Sequence, residues 1–299
     1  MLTVFKQVFI LFCFAMAGYI LCRKKLADSS HAKLLSTLEV YIFLPCMVFK
    51  TFSSNLTVKY LSLNWQSILT STIIVICISV LAFFTAKLFT KNSYERNIYT
   101  YSLIVPNSGY MGYALAEALF GEQALMNMMF FCIPVSVFTY TVGFCMLTKR
   151  KFTLKKLIHP VMIALVAGGI VGLSGVKIPG LVNNILNSSS NCMAPVSMLL
   201  TGMVISEFNL RKLLSDIKGY LIVFLRLIVI PCGVALVLML IGKEEYLLSA
   251  ILLFAMPCGL NTVVFPRLID ENCEIGARLA CISSTLACIT IPICISIFI

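Results

Sequence analysis

Apolar runs of helix length follow one another from about residue 2 to residue 298, and the gaps between them are short. Such a chain has no stretch left over for a water-soluble domain. A hydrocarbon core of about 30 Å takes roughly 20 apolar residues per helix. On that measure there are ten expected spans, at about 2–22, 34–54, 66–88, 98–120, 124–147, 159–176, 190–207, 219–241, 246–266 and 276–298. The runs are continuous and do not alternate every second residue, so they read as helices, not as strands of a barrel. With 60% hydrophobic and 12% charged residues, the expected class is an all-α polytopic membrane protein.

Basic residues fall in every second gap. Arg23, Lys24, Lys25 and Lys33 occupy the first, Lys87, Lys91 and Arg96 the third, and Lys149, Arg150, Lys151, Lys155 and Lys156 the fifth. Arg211, Lys212 and Lys218 occupy the seventh, and Arg267 and Arg278 the ninth. Lys6, Lys50, Lys59, Lys177 and Lys243 are left for the other side. Basic loops stay in the cytoplasm, so both termini are expected outside a cell (plasma) membrane. The first span is expected to remain as a helix, because its basic cluster follows the apolar run where a signal peptide's precedes it.

The net charge of +11 lies in short loops beside membrane helices, where topology and anionic headgroups account for it; no nucleic-acid partner is expected. Most of the 13 cysteines fall inside apolar spans and act there as small hydrophobes. No CxxC occurs, and His31 and His159 sit at expected helix ends, so neither a metal nor a cofactor is called for. HExxH and GxSxG are absent too, which argues against an enzyme. Asn55-Leu-Thr57 and Asn187-Ser-Ser189 are short sequons on expected outside loops.

A shift of about 150 residues brings Gly18 onto Gly168 and Pro45 onto Pro195, and one residue more brings Pro106 onto Pro257. The chain thus divides into residues 1–148 and 149–299, each with five spans. Five is odd, so the second half enters from the opposite face: two inverted five-helix repeats, a transporter architecture. In such folds the site lies where helices are broken. Two counterpart runs carry the residues that break helices, Val105-Pro106-Asn107-Ser108-Gly109-Tyr110-Met111-Gly112 in span four and Met256-Pro257-Cys258-Gly259-Leu260-Asn261-Thr262 in span nine. Proline removes a backbone donor, glycine allows close crossing, and asparagine both donates and accepts.

The span-four run, followed by Leu119-Phe120-Gly121, resembles the signature of the auxin efflux carrier family, which includes plant auxin carriers and bacterial malate or malonate carriers. Shorter matches follow in order along the chain: Gly18-Tyr19, Leu44-Pro45, Ala194-Pro195 with Gly202, Arg226 ahead of Pro231, Ser284-Thr285 and Ile291-Pro292. The resemblance implies a sodium/bile-acid-symporter-like fold. Spans one, two, six and seven would form a scaffold and the other six a transport domain that moves as an elevator, so that each domain draws on both repeats. It also implies a small organic anion as cargo, bound beside crossed spans four and nine. Pro106, Pro257 and Gly259 would make the crossover, and Asn107, Ser108, Gly109, Asn261 and Thr262 would bind substrate. A homodimer through the scaffold is implied as well. Two positions depart from the pattern: Ala114 and Thr262 stand where many relatives have proline.

Half-helix N-termini carry a partial positive charge and free amides, so they can hold a carboxylate without a fixed cation. Among charges within the spans, Lys50 and Glu117 lie toward outside ends, where they can snorkel. Glu39 is expected near a membrane interface and Glu207 at the end of span seven. Arg226 lies about 12 Å along its helix from Lys218; three readings are open for it, snorkelling to the inner face, a structural pairing with Glu39, and attraction of the anion. The coupling ion, proton or sodium, stays open. A sodium-coupled bile-acid-type symporter and a ligand-binding membrane sensor are the alternatives to a carboxylate carrier.

Overall fold

The computed structural model describes residues 2–149, 159–208, 217–267, 269 and 271–299. Most of the fifth basic gap, and Arg211 and Lys212 of the seventh, lie outside the described residues. Among the described residues every regular element is a helix, and the only extended pairing is an isolated antiparallel bridge between Pro106 and Cys258.

α1 spans Leu2–Arg23. After a turn, Asp28 caps α2 (Ser29–Leu38): its carboxylate accepts from the amides of Ser30 and His31, while the His31 ring reaches back to the Asp28 amide. A π turn, Glu39–Phe43, carries α2 into α3 (Leu44–Asn55). α4 (Val58–Phe89) is the longest helix, capped by the Thr57 hydroxyl. α5 (Ser93–Ile104) stops before Pro106, and the chain resumes with a π turn, Ser108–Gly112, and α6 (Tyr113–Phe131). Inside α6, Gly121 takes φ 80°, ψ −178° and kinks the helix. This left-handed φ is open only to glycine at low cost, and it marks the expected boundary between spans four and five. α7 (Ile133–Phe138), a π turn Thr139–Gly143 and α8 (Phe144–Thr148) follow at a 50° bend.

The second half runs through α9 (Pro160–Ser174), α10 (Gly180–Ser206), α11 (Ile217–Phe224), a π turn Leu225–Val229 and α12 (Ile230–Leu240). α13 (Leu247–Phe254), α14 (Asn261–Arg267) and α15 (Glu274–Phe298) complete it. α13 and α14 are two pieces of one expected span, interrupted at Pro257.

Among the described residues, five helices can cross a membrane by length and composition: Lys6–Arg23, Ser30–Asn55, Val58–Phe89, Ile217–Leu240 and Glu274–Phe298, with a sixth if the bent pair Ser108–Phe131 and Ile133–Thr148 counts as one. The other expected spans are short, broken or polar. α9 has 15 residues, the expected span at 246–266 is split, and α10 starts ten residues earlier than its apolar run, with Asn183, Asn184, Asn187 and Asn191 in its first half. That early start corrects one expectation: Asn187 lies within a helix, not in a loop. α4 likewise begins eight residues before its expected boundary, because polar Lys59, Ser62 and Asn64 hide helical backbone from a hydropathy count.

α1 packs on α10, and α3 on α9, through glycines. A Cβ at Gly18 would collide with the Leu199 carbonyl, and one at Gly168 would lie 2.8 Å from the Phe49 carbonyl. The shift of 150 that takes residue 18 to 168 also takes 49 to 199, so the two contacts are reciprocal.

Candidate functional site at the helix crossing

Pro106 and Pro257 lack amide hydrogens, and each biases its predecessor away from helix. Val105 accordingly leaves α5 at φ −97°, ψ 112°. The two interrupted strands of chain then satisfy each other: the Asn107 amide donates to the Pro257 carbonyl at 2.8 Å, and the Gly259 amide to the Val105 carbonyl at 3.1 Å. The fit needs a small residue, since a Cβ on Gly259 would lie 3.1 Å from the Val105 oxygen. From α15, the Ser283 hydroxyl accepts the Cys258 amide at 3.0 Å. The crossing is therefore bonded through the backbone, deep inside the molecule, with Asn107 only 2% exposed.

Beyond the break the amides of Met111 and Gly112 both donate to the Asn107 carbonyl. Ser108, Gly109 and Tyr110, whose first-turn amides precede any such helical bond, are among the residues lining a cavity. Its volume is about 40 Å³, and Asn107, Ser108, Gly109, Gly259 and Asn261 are among its walls. At about 10–15 Å³ of accessible volume per water, this holds about three or four waters and no carboxylate of malate size. The conformation is closed around the crossing.

The expected residues divide here. The Asn107 side-chain oxygen faces the interior without a hydrogen-bond partner; an amide can turn to offer N–H₂ instead. Ser108 accepts a weak bond from the Cys132 thiol at 3.6 Å. Asn261 borders the cavity, its amide donating to the Tyr101 hydroxyl at 3.1 Å. Thr262 is not among the lining residues: its hydroxyl donates back to the Gly259 carbonyl at 2.9 Å, within the first turn of α14. Pro257 also stands outside the lining and contributes only its carbonyl.

The sequence reading missed the opposite wall. Tyr113, Ser136, Thr139 and Tyr140 line it, and the His159 ring stacks on Tyr140 with centroids 4.0 Å apart. Hydroxyls at 136, 139 and 140 recur at helical spacing inside an apolar run, which was the available signal.

A sequence model of the family described as membrane transport protein matches residues 3–156 and again residues 144–295. The chain belongs to this family, the auxin efflux carriers. No curated protein matches it at a significant level. Members of this family are membrane transporters.

In this membrane transport protein, Arg226 is wholly buried. Its Nε donates to the Met256 carbonyl at 3.2 Å and its Nη1 to the Leu103 carbonyl at 3.1 Å. The expected pairing with Glu39 is not formed. The guanidinium instead caps the carbonyl ends of both broken helices, where the backbone dipoles leave partial negative charge. Glu39 is not interfacial either. It is fully buried, with neither carboxylate oxygen hydrogen-bonded. Lys50 is paired, with Glu122 at 2.9 Å and Glu117 at 3.9 Å.

Proposed function

We propose that this family member is a secondary transporter that moves a small organic anion, such as a carboxylate, across the cytoplasmic membrane by an elevator-type alternating-access mechanism. The observation that carries this reading is the crossing: two proline-broken helices bonded backbone to backbone, with Asn107 and the first-turn residues 108–110 lining one small cavity. Free amides at a helix start, with no cationic side chain among the lining residues, suit a weakly charged anion that must also leave.

The proposed architecture is ten passes in two inverted repeats, with both termini outside. The reciprocal contacts of Gly18 with Leu199 and of Gly168 with Phe49 support it, because one two-fold exchange relates them. α1, α3, α9 and α10, packed on each other through these glycines, are the proposed scaffold and the proposed dimer surface. The cavity must open before cargo binds, which fits a carrier that alternates between closed and open forms.

Uptake of labelled malate, malonate and indole-3-acetate into proteoliposomes tests this, comparing the wild type with Asn107→Ala. Entry of one acid, lost in a folded Asn107→Ala protein, is the expected result. Failure of all three with correctly inserted protein would remove the carboxylate assignment.

A further inference from the structure

A thiol joins the two walls of the cavity. Pro134 has no amide hydrogen to give to the helical ladder, and α6 accordingly stops at Phe131 and α7 resumes at Ile133 across a 50° bend. Cys132 occupies that bend. Its amide donates to the Met128 carbonyl at 2.8 Å, and the Ser71 hydroxyl of α4 donates to the neighbouring Phe131 carbonyl at 2.5 Å. The backbone is thus held on both sides of the break, and the Cys132 side chain is buried. Its sulfur lies 3.6 Å from the Ser108 oxygen and 3.8 Å from the Ser136 oxygen. Both separations are within hydrogen-bonding range for a large sulfur atom, a weak donor and a weak acceptor. Both serines line the cavity, Ser108 from the crossing and Ser136 from the opposite wall.

Counting protons gives these contacts a direction. A thiol has one proton, and Cys132 donates it to the Ser108 oxygen. The sulfur can then only accept from Ser136, so in that contact the Ser136 hydroxyl is the donor. Ser108 keeps its own proton, and no hydrogen bond among the described residues uses it. A hydroxyl rotates to suit its surroundings, but one whose oxygen already accepts from a fixed thiol has fewer choices. With the protein behind it and the cavity in front, the free proton of Ser108 is left to point at the cavity.

We propose that Cys132 is a positioning residue for the anion site: by donating to the Ser108 oxygen it commits the Ser108 hydroxyl to donate into the cavity. This deepens the anion-carrier reading above and rests on it. A carboxylate oxygen accepts and does not donate, so a hydroxyl fixed as a donor matches it, next to a helix start whose first-turn amides are donors too. Ser108, Cys132 and Ser136 belong to spans four and five, both in the proposed transport domain. The chain of hydrogen bonds therefore travels with the crossing when the cavity opens.

Two measurements test it. The first needs no substrate: the infrared S–H stretch of protein in lipid nanodiscs, whose frequency falls when a thiol donates a hydrogen bond. The difference between wild type and Cys132→Ser isolates the Cys132 band. It is expected at a lowered frequency, and to move further in Ser108→Ala, which removes its acceptor, than in Ser136→Ala. A band at the frequency of an unbonded thiol, or one that moves as much or more in Ser136→Ala, overturns the proposal. Wild type and the two serine variants can also be compared directly, so the test stands even if Cys132→Ser fails to fold. The second is the half-saturation concentration for uptake of labelled malate, malonate and indole-3-acetate. Cys132→Ala is expected to raise it about three- to tenfold, the worth of one hydrogen bond, and Cys132→Ser, whose hydroxyl donates likewise, to stay near the wild type. Adding Cys132→Ala to Ser108→Ala is expected to change nothing more, because the thiol acts through that hydroxyl. An unchanged Cys132→Ala, no recovery in Cys132→Ser, or an equal effect on the Ser108→Ala background overturns the positioning role. If the wild type carries none of the acids, the anion-carrier reading fails, and the infrared bands still decide whether the thiol orients Ser108.

Discussion

The Arg226 guanidinium donates from Nη1 to the main-chain oxygen of Leu103 at 3.1 Å, across 123 residues of sequence. With the Met256 carbonyl on Nε, one side chain fastens the last turn of α5 to the segment leaving α13. Replacing it with leucine leaves two buried carbonyls without donors and removes the positive charge opposite two dipole ends. A charged hydrogen bond of this kind contributes about 1.5–3 kcal/mol. Arg226→Leu should lower the thermal midpoint in detergent markedly. Arg226→Lys, a single point charge without the planar fork, should fall between. Melting curves followed by tyrosine fluorescence check the order.

Asn107 presents an uncharged amide to the cavity. Asn107→Asp has nearly the same shape, yet it puts a carboxylate where the anion is proposed to lie. Anion uptake should fall by at least about tenfold, which corresponds to roughly 1.4 kcal/mol of lost binding, and the unpaired buried charge should lower the melting midpoint as well. Uptake rates and a melting curve on the same preparation separate this from misfolding.

Gly168 and Gly233 make a matched pair. A methyl group at Gly168 would meet the Phe49 backbone at 2.8 Å, whereas at Gly233 it would meet open space. Overpacking against backbone costs about 1–3 kcal/mol. Gly168→Ala should therefore destabilise the protein. Gly233→Ala should be neutral or slightly stabilising, since alanine favours helix. Denaturant titrations of the two variants test the contrast.

Asp28 lies outside the membrane helices, and its cap is pH-dependent. The Ser30 hydroxyl bond, then the His31 ring and the Ser30 and His31 amides, hold its carboxyl well below the usual carboxylate range. A group depressed in the folded state stabilises it above the unfolded value, here 3.8, and loses that contribution as pH falls through the native value. The stability difference between wild type and Asp28→Asn should be constant from neutral pH to about pH 4 and shrink below it. Urea titrations across that range would contradict this if the difference stayed unchanged in acid.

Much of this was legible in the sequence because proline and glycine act locally. Pro106, Pro257 and Gly259 each impose a backbone consequence within a residue or two, so both breaks were readable where they occur. The starts of α4 and α10 were not, because the polar first turns of those helices look like loop to any count of apolar residues. Arg226 was visible as a charge in an apolar run, but its partners are main-chain oxygens 30 and 123 residues away, which no side-chain pattern encodes. Thr262 gave no such signal for a similar reason: its hydroxyl bonds a backbone carbonyl three residues back. Glu39 looked interfacial by counting from a helix end; only the packing of α9 and α10 over it reveals its burial.

The four π turns among the described residues share a mechanical consequence. Three lie within longer helical stretches, at 39–43, 139–143 and 225–229, and the one at 108–112 opens the helix after the break; between them they hold Glu39, Ser108, Tyr110, Tyr140 and Arg226. A wider turn strains the regular hydrogen-bond ladder and bends more readily than the α-helix on either side. The rods are thus stiff along most of their length and compliant around the crossing, so a shift there can be taken up by a few residues while the outer surface keeps its grip on the surrounding lipid.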